Sequence, residues 1–263
     1  MIEAFNILGR DIPSYGLMAA TGVICGLLFI VWRTHKLKLD IEYAVSIYML
    51  GVVGAGIGAK ILFLLLSFSD LLDAIKSIGF IRAVIVFIQG GMVFYGGLIG
   101  AIIASFLTAR LIKLNIKDFY PSLIPAIAIL AGFGRVGCLL TGCCYGAVTT
   151  SPIHIIYPEG SAAPSLVPLV PVQIYEMLFE IIIAIVLTVL SFKKPALNNR
   201  LLQIYLATYA VMRFILEFWR GDQVRGIWGL LSTSQWISIL IIVFLLFHEF
   251  YSTSKRRNMA LNK

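Results

Sequence analysis

Residues 44–67 read AVSIYMLGVVGAGIGAKILFLLLS, twenty-four residues carrying a single charge, Lys60. About 20 predominantly apolar residues suffice to cross the hydrocarbon core as a helix. A run this long with no period-two alternation is a membrane helix, since the bilayer interior admits only helices and closed barrels. Outward from it, six more segments meet the same description: 15–32, 91–109, 119–140, 173–192, 201–219 and 234–250. The chain is 60% hydrophobic and 13% charged, against about a quarter charged in a soluble domain. The reading is an all-α polytopic membrane protein of seven spans, forming one domain over 1–263. The first segment has neither a basic leader nor a small-residue cleavage site, so it is expected to be a retained span rather than a signal peptide.

The net charge of +8 is explained by loops rather than nucleic acid, and no nucleic-acid partner is expected. Of the 21 basic residues, thirteen follow the odd-numbered spans. They are Arg33, Lys36, Lys38; Arg110, Lys113, Lys117; Lys193, Lys194, Arg200; and Lys255, Arg256, Arg257, Lys263. Five lie on the other side: Arg10, Lys76, Arg82, Arg220 and Arg225. Positive loops face the cytoplasm, so the N-terminus is expected outside and the C-terminus inside. Residues 68–90 space Asp70, Asp73, Lys76 and Arg82 among apolar residues and read as an amphipathic segment on the outer interface. Residues 141–172 contain five prolines and no Lys or Arg, and read as an outer cap.

Three basic residues fall within spans: Lys60, Arg135 and Arg213. Charge at that depth is costly and marks a functional site by default. Span order places Tyr15, Tyr95, Arg135, Gln173, Tyr175, Glu176, Arg213, Glu217 and Arg220 all in the outer half of the bilayer. On span six, Tyr209, Arg213, Glu217 and Arg220 recur at helical spacing and share a face. Arginine is permanently charged and offers forked donors that match a phosphate, so several arginines on one cavity predict an anionic lipid-headgroup site. The plainer alternative is a buried Arg213–Glu217 pair with Arg135 bound to backbone carbonyls. The Gly54-x-x-x-Gly58 and Gly96-x-x-x-Gly100 spacings suit close helix packing. The density of Gly90, Gly91, Gly96 and Gly97 also leaves backbone space for a headgroup.

Several of these pieces, in this order, resemble the bacterial prolipoprotein diacylglyceryl transferase family. They are Tyr15-Gly16-Leu17-Met18; Gly90-Gly91-Met92-x-Phe94-x-Gly96-Gly97-Leu98-Ile99-Gly100; Gly134-Arg135-x-Gly137 with Gly146; Pro171-x-Gln173-x-Tyr175-Glu176; and Arg213-Phe214-x-x-Glu217-Phe218-x-Arg220. The resemblance implies transfer of a diacylglyceryl group from phosphatidylglycerol to the cysteine thiol of a lipoprotein signal sequence, in the bacterial cytoplasmic membrane. A thioether forms and glycerol phosphate leaves. It implies catalytic roles for Arg135 and Arg213. Substrate-binding positions would be Tyr15, Tyr95, Gly96, Gly97, Gly137, Cys138, Gly146, Gln173, Tyr175, Glu176, Glu217 and Arg220. The expected partners are phosphatidylglycerol, the lipoprotein precursor and the bilayer; no cofactor and no metal are expected.

The chain departs from the family pattern where it has Cys138 and Thr141 in place of Asn, Cys143 in place of Glu, and Tyr95 in place of His. A base role for histidine does not carry over to Tyr95. These changes point to a divergent branch and keep open an altered-specificity or non-catalytic lipid-binding protein on the same fold. A secondary transporter is disfavoured by the lack of an inverted repeat. Cys138, Cys143 and Cys144 leave four readings open: buried structural residues, a disulfide in an oxidising compartment, a metal site for which His154 is the nearest fourth ligand, or a reactive thiol.

Overall fold

Helix boundaries track the apolar runs, with shifts that local chemistry explains. The computed structural model describes residues 4–7, 10–222 and 226–261. Arg225 and Lys263, both counted in the charge balance, lie outside the described residues. Nine α-helices occur among the described residues: α1 Ser14–Leu37, α2 Ile41–Leu66, α3 Phe68–Ile78, α4 Phe80–Gln89, α5 Phe94–Leu111, α6 Tyr120–Thr141, α7 Val172–Lys193, α8 Leu201–Leu216 and α9 Thr233–Leu261. Three short antiparallel hairpins accompany them: β1 Ala4–Ile7 with β2 Arg10–Pro13, β3 Ile155–Ile156 with β4 Pro168–Leu169, and β5 Ile227–Trp228 with β6 Leu231–Ser232.

Six helical stretches among the described residues are long and apolar enough to cross a membrane: Ser14–Leu37, Ile41–Leu66, Ile116–Thr141, Val172–Lys193, Pro195–Trp219 and Thr233–Tyr251. They correspond to six of the seven expected spans. The remaining one, expected at 91–109, is the shorter apolar helix α5. Its start is delayed to Phe94 because residues 90–93 serve other contacts, described below. The expected interfacial segment at 68–90 is two helices, both strongly amphipathic. They break at Gly79, whose φ of +83° suits only glycine without strain.

The chain forms two compact units, one of residues up to Gly26 together with Ile124 onward, the other Leu27–Leu123. In the Leu27–Leu123 unit the dominant contact is α2 against α5. A Cβ on Gly58 would collide with the Gly96 carbonyl, one on Gly100 with the Gly54 carbonyl, and one on Gly54 would sit 2.6 Å from the Gly100 carbonyl. Only glycine lets these backbones touch, which is the small-residue packing expected from the spacing. Gly97 lies over Ala55 and Ala59, and Ser105 Oγ donates to the Ile47 carbonyl at 3.4 Å.

Lys60 has its charge satisfied in this same unit. Its ammonium donates to the carbonyls of Phe87, Gly90 and Gly91 at 3.3, 2.9 and 3.0 Å. It also stands 5.1 Å from the Phe63 ring centroid. A cation on the terminal carbonyls of α4 complements the helix dipole. The Val93 amide donates to the Ala59 carbonyl at 3.2 Å. Together these contacts hold residues 90–93 out of helix and set where α5 begins.

Candidate functional site

The polar residues of the other unit converge around α7. Its buried face includes Gln173, Glu176, Glu180, Ile183, Ala184 and Leu187, each three or four residues from another, which places them on one side of the helix. The first three are polar and almost fully buried. Buried carboxylates require partners, and neighbouring helices supply them. Glu176 Oε1 lies 2.7 Å from Arg213 Nη1 of α8, and Glu176 Oε2 lies 3.0 Å from Arg135 Nε of α6. One carboxylate therefore bridges two arginines from different helices. Arg213 also reaches Glu217 Oε2 at 2.8 Å and Ser234 Oγ of α9 at 3.1 Å. The Glu176 side chain is 1% exposed, whereas those of Arg135 and Arg213 are 18% and 13% exposed. The carboxylate is sealed, while the two arginine side chains keep some exposed surface.

Arg213 and Glu217 pair at i,i+4 as their spacing predicts. Arg135 does not follow the plainer reading, because its Nε faces the Glu176 carboxylate rather than backbone carbonyls. The span-six stripe is also interrupted. Helix α8 stops at Leu216, Glu217–Trp219 form a 3-10 turn, and Arg220 is extended. The position of Arg220 comes from strand-like pairing with Gly146. The Ala147 amide donates to the Trp219 carbonyl at 2.8 Å, and the Gly221 amide to that of Tyr145 at 3.0 Å. On its other edge the Val170 amide donates to the Ala147 carbonyl at 2.9 Å. Gly146 is squeezed between these strands: a Cβ there would strike the Val170 carbonyl. Arg220 is buried and forks onto the Asp222 carboxylate. Burial works against its charge, but the hydrogen bond to Asp222 together with the charges of Cys144, Asp222 and Glu176 more than offsets it and raises its pKa, so it stays cationic.

The cap at 141–172 closes on this cluster through Tyr157. This side chain is fully buried against Ala163 and Leu169. Its hydroxyl donates to the Leu139 carbonyl at 3.3 Å and accepts from Gln173 Nε2 at 3.1 Å. Gln173 Nε2 also donates to the Cys143 carbonyl at 2.9 Å. Burial, reinforced by nearby Cys143, pushes the Tyr157 pKa up to about 12. Gln173 thus ties the cap to α7. Tyr175, by contrast, packs with Val172, Met212 and Leu216. Tyr15 begins α1 beside Gly137, where a Cβ would come within 2.9 Å of its ring.

The three clustered cysteines are brought together by the end of α6. Gly142 has φ +74° and Cys144 φ +57°. This left-handed turn carries Cys143 and Cys144 back over Cys138, and their sulfurs all lie within 4.8 Å of one another. All are free thiols. Thr141 Oγ1 approaches the Cys143 sulfur at 3.4 Å. Hydrogen bonds from Cys138 and Cys143, aided by Arg220 and Arg135, hold Cys144 well below the usual thiol range despite burial. At Cys143 a bond from Cys138 pulls the pKa down, but the bond to Cys144 and burial push it up overall. His154 is exposed, bonded to the Ser151 carbonyl at 2.8 Å, and does not join the cluster.

Tyr95, Gly96 and Gly97 belong to the other unit, where Gly96 and Gly97 face α2. Two residues around the arginines escaped the sequence reading. Glu180 accepts from the Tyr205 hydroxyl at 3.2 and 3.4 Å; it is one helical turn beyond Glu176, and that spacing was its signal. Tyr157 had none, because its place depends on the folded cap.

The family of prolipoprotein diacylglyceryl transferases matches residues 3–251. The chain is 32% identical over 246 residues to the phosphatidylglycerol–prolipoprotein diacylglyceryl transferase of Clostridium tetani (strain Massachusetts / E88), covering 92% of this chain and 94% of that one. It is 35% identical over 242 residues to phosphatidylglycerol–prolipoprotein diacylglyceryl transferase 2 of Clostridium perfringens (strain 13 / Type A), covering 90% of each. A transferase of the same name from Dehalococcoides mccartyi (strain ATCC BAA-2266 / KCTC 15142 / 195) is 28% identical over 98% of this chain and 96% of its own length. The chain belongs to the prolipoprotein diacylglyceryl transferase family.

Proposed function

We propose that this chain transfers the diacylglyceryl group of phosphatidylglycerol to the thiol of a lipoprotein signal-sequence cysteine, forming a thioether and releasing glycerol phosphate. The reading is supported by the family, by the names of the relatives, and above all by the bridging of Arg135 and Arg213 by one sealed carboxylate. Each guanidinium carries five N–H donors in a planar fork. Glu176 engages a nitrogen of each and fixes their mutual orientation. The remaining donors are available to the phosphate of the lipid, and they stabilise the charge that collects on it as the carbon–oxygen bond breaks. Glu176 and Glu217 act as positioning residues, and Arg220, buried on Asp222, supports the site from behind. Gln173 anchors the cap over the site. Tyr15, Gly137, Cys138, Gly146 and Tyr175 complete the lipid- and peptide-binding surface in this reading.

The membrane arrangement belongs to the same proposal. Helix α5, at 18 residues and about 1.5 Å per residue, is roughly 27 Å long, close to the hydrocarbon thickness of about 30 Å. It serves as a seventh span. The basic loops then place the N-terminus outside and the C-terminus in the cytoplasm, in a bacterial cytoplasmic membrane. Helices α3 and α4 lie at the outer interface, and the whole chain acts as one transferase domain.

The test is transfer of radiolabelled glycerolipid from phosphatidylglycerol to a signal peptide bearing the acceptor cysteine. Arg135→Ala and Arg213→Ala are each expected to reduce transfer to background, with membrane insertion unchanged. Wild-type protein with no transfer, and no rescue of a host depleted of its own transferase, refutes the enzymatic reading and leaves lipid binding without chemistry.

A further inference from the structure

We propose that Cys138, Cys143 and Cys144 form a three-thiolate Zn2+ site whose fourth position binds the acceptor thiol. This rests on the transferase reading above and adds the means by which the acceptor sulfur is activated.

Geometry carries the argument. Three points separated by no more than 4.8 Å share a position within ~2.8 Å of each, and a Zn–S bond is about 2.3 Å. Movements of about half an ångström therefore bring all three sulfurs into ligand range. The cluster is built by a turn with a conformational cost: Cys144 occupies the left-handed region at φ +57°, which non-glycine residues adopt at about 1–2 kcal/mol. That turn places two thiols, not one, over Cys138. A disulfide uses two sulfurs and leaves the third unexplained, and adjacent Cys143 and Cys144 make a poor pair with each other. A metal uses all three. Three thiolates and Zn2+ carry a net charge of −1, and a fourth thiolate makes it −2. Arg220 and Arg135, each also paired with a carboxylate, both act electrostatically on Cys144 and lower the cost of negative charge there.

No His, Asp or Glu joins the cluster among the described residues. Three protein ligands with one open position is the pattern of a zinc site that acts on a ligand rather than one that only braces a fold. A thiol bound there gives up its proton on coordination and remains as thiolate. The step balances as follows. The acceptor S–H proton is released to solvent on binding. The thiolate electron pair forms a C–S bond to the terminal glyceryl carbon. The bond from that carbon to the phosphate oxygen breaks, and its pair leaves on glycerol phosphate, beside the arginines. Glycerol phosphate later takes up one proton. No oxidant or reductant is needed.

The experiment uses the full chain in detergent, reduced with a phosphine and stripped of metal, then titrated with Co2+ as a spectroscopic probe. One equivalent is expected to bind with a thiolate-to-cobalt charge-transfer band, displaced stoichiometrically by Zn2+. Cys138→Ala, Cys143→Ala and Cys144→Ala should each weaken binding more than about tenfold, while Cys25→Ala leaves it unchanged. A signal peptide with its acceptor cysteine should intensify the band, and the same peptide with serine should not. No stoichiometric binding overturns the proposal. So does a peptide response independent of the cysteine, a disulfide from Cys138 in protein isolated without zinc, or undiminished transfer by the metal-free protein. Cobalt and peptide binding are read without turnover. If both occur and no diacylglyceryl transfer follows, the transferase reading fails while the metal site stands.

Discussion

Replacing Glu176 with glutamine tests the central arrangement most directly. The substitution preserves shape and removes one charge from a sealed position. Glu176 Oε1 and Oε2 face Arg213 Nη1 at 2.7 Å and Arg135 Nε at 3.0 Å. An amide has one acceptor oxygen, so its NH2 must turn toward one of the guanidiniums. One ion-pair contact is weakened and the other becomes a clash of donors. Breaking a buried pair costs ~3–5 kcal/mol. Arg213 retains Glu217 at 2.8 Å, which places the loss at the lower end, ~3 kcal/mol. If that energy orients the arginines for the reaction, kcat/KM falls about two orders of magnitude, at roughly 1.4 kcal/mol per decade. The assay is initial rate of labelled lipid transfer to a signal peptide, with both substrates varied, in protein shown to be folded by circular dichroism and thermal unfolding. Glu176→Asp keeps the charge and should recover part of the rate. A folded Glu176→Gln protein within about threefold of wild type refutes the positioning role.

Other outcomes follow from the same geometry. Arg213→Lys keeps the charge but cannot serve Glu176, Glu217 and Ser234 together, and transfer should fall more than about tenfold, since a point ammonium does not replace a fork. Gly100→Val forces α2 and α5 apart at the Gly54 carbonyl and should lower stability by about 1–3 kcal/mol or more, measured by thermal unfolding in detergent. Tyr157 has a folded pKa of about 12, above its ordinary 10.0. Its contribution to stability is complete below pH 10 and is lost as pH rises toward 12. Ultraviolet titration should show a late-ionising tyrosine that vanishes in Tyr157→Phe. Loss of the hydroxyl, and with it the bonds to Leu139 and Gln173, should also cost ~1 kcal/mol.

The helices were legible because membrane solubility is a local property. Any window of about 20 apolar residues must be a helix in lipid, whatever its neighbours are. The boundary at 90–93 was not legible, because it depends on Lys60 capping α4 from a distance of thirty residues. The site was legible in its components. Arg135, Arg213, Glu176 and Glu217 could be singled out by charge in apolar surroundings and by motif order. Glu180 was readable from its spacing to Glu176 but hidden in a run otherwise suited to a span.

From sequence alone follow the membrane class, the positions of the apolar helices, the arginines within them and the family. Pairing was decided only by the tertiary structure. Glu176, not a backbone carbonyl, receives Arg135; Arg220 is positioned by Gly146 rather than by its helix; Lys60 is solvated by backbone carbonyls of its own unit; and three thiols meet at a left-handed turn. The reason is physical. Burial of apolar surface depends on composition within one segment. The partner of a buried charge depends on how separate helices are rotated and where each one ends.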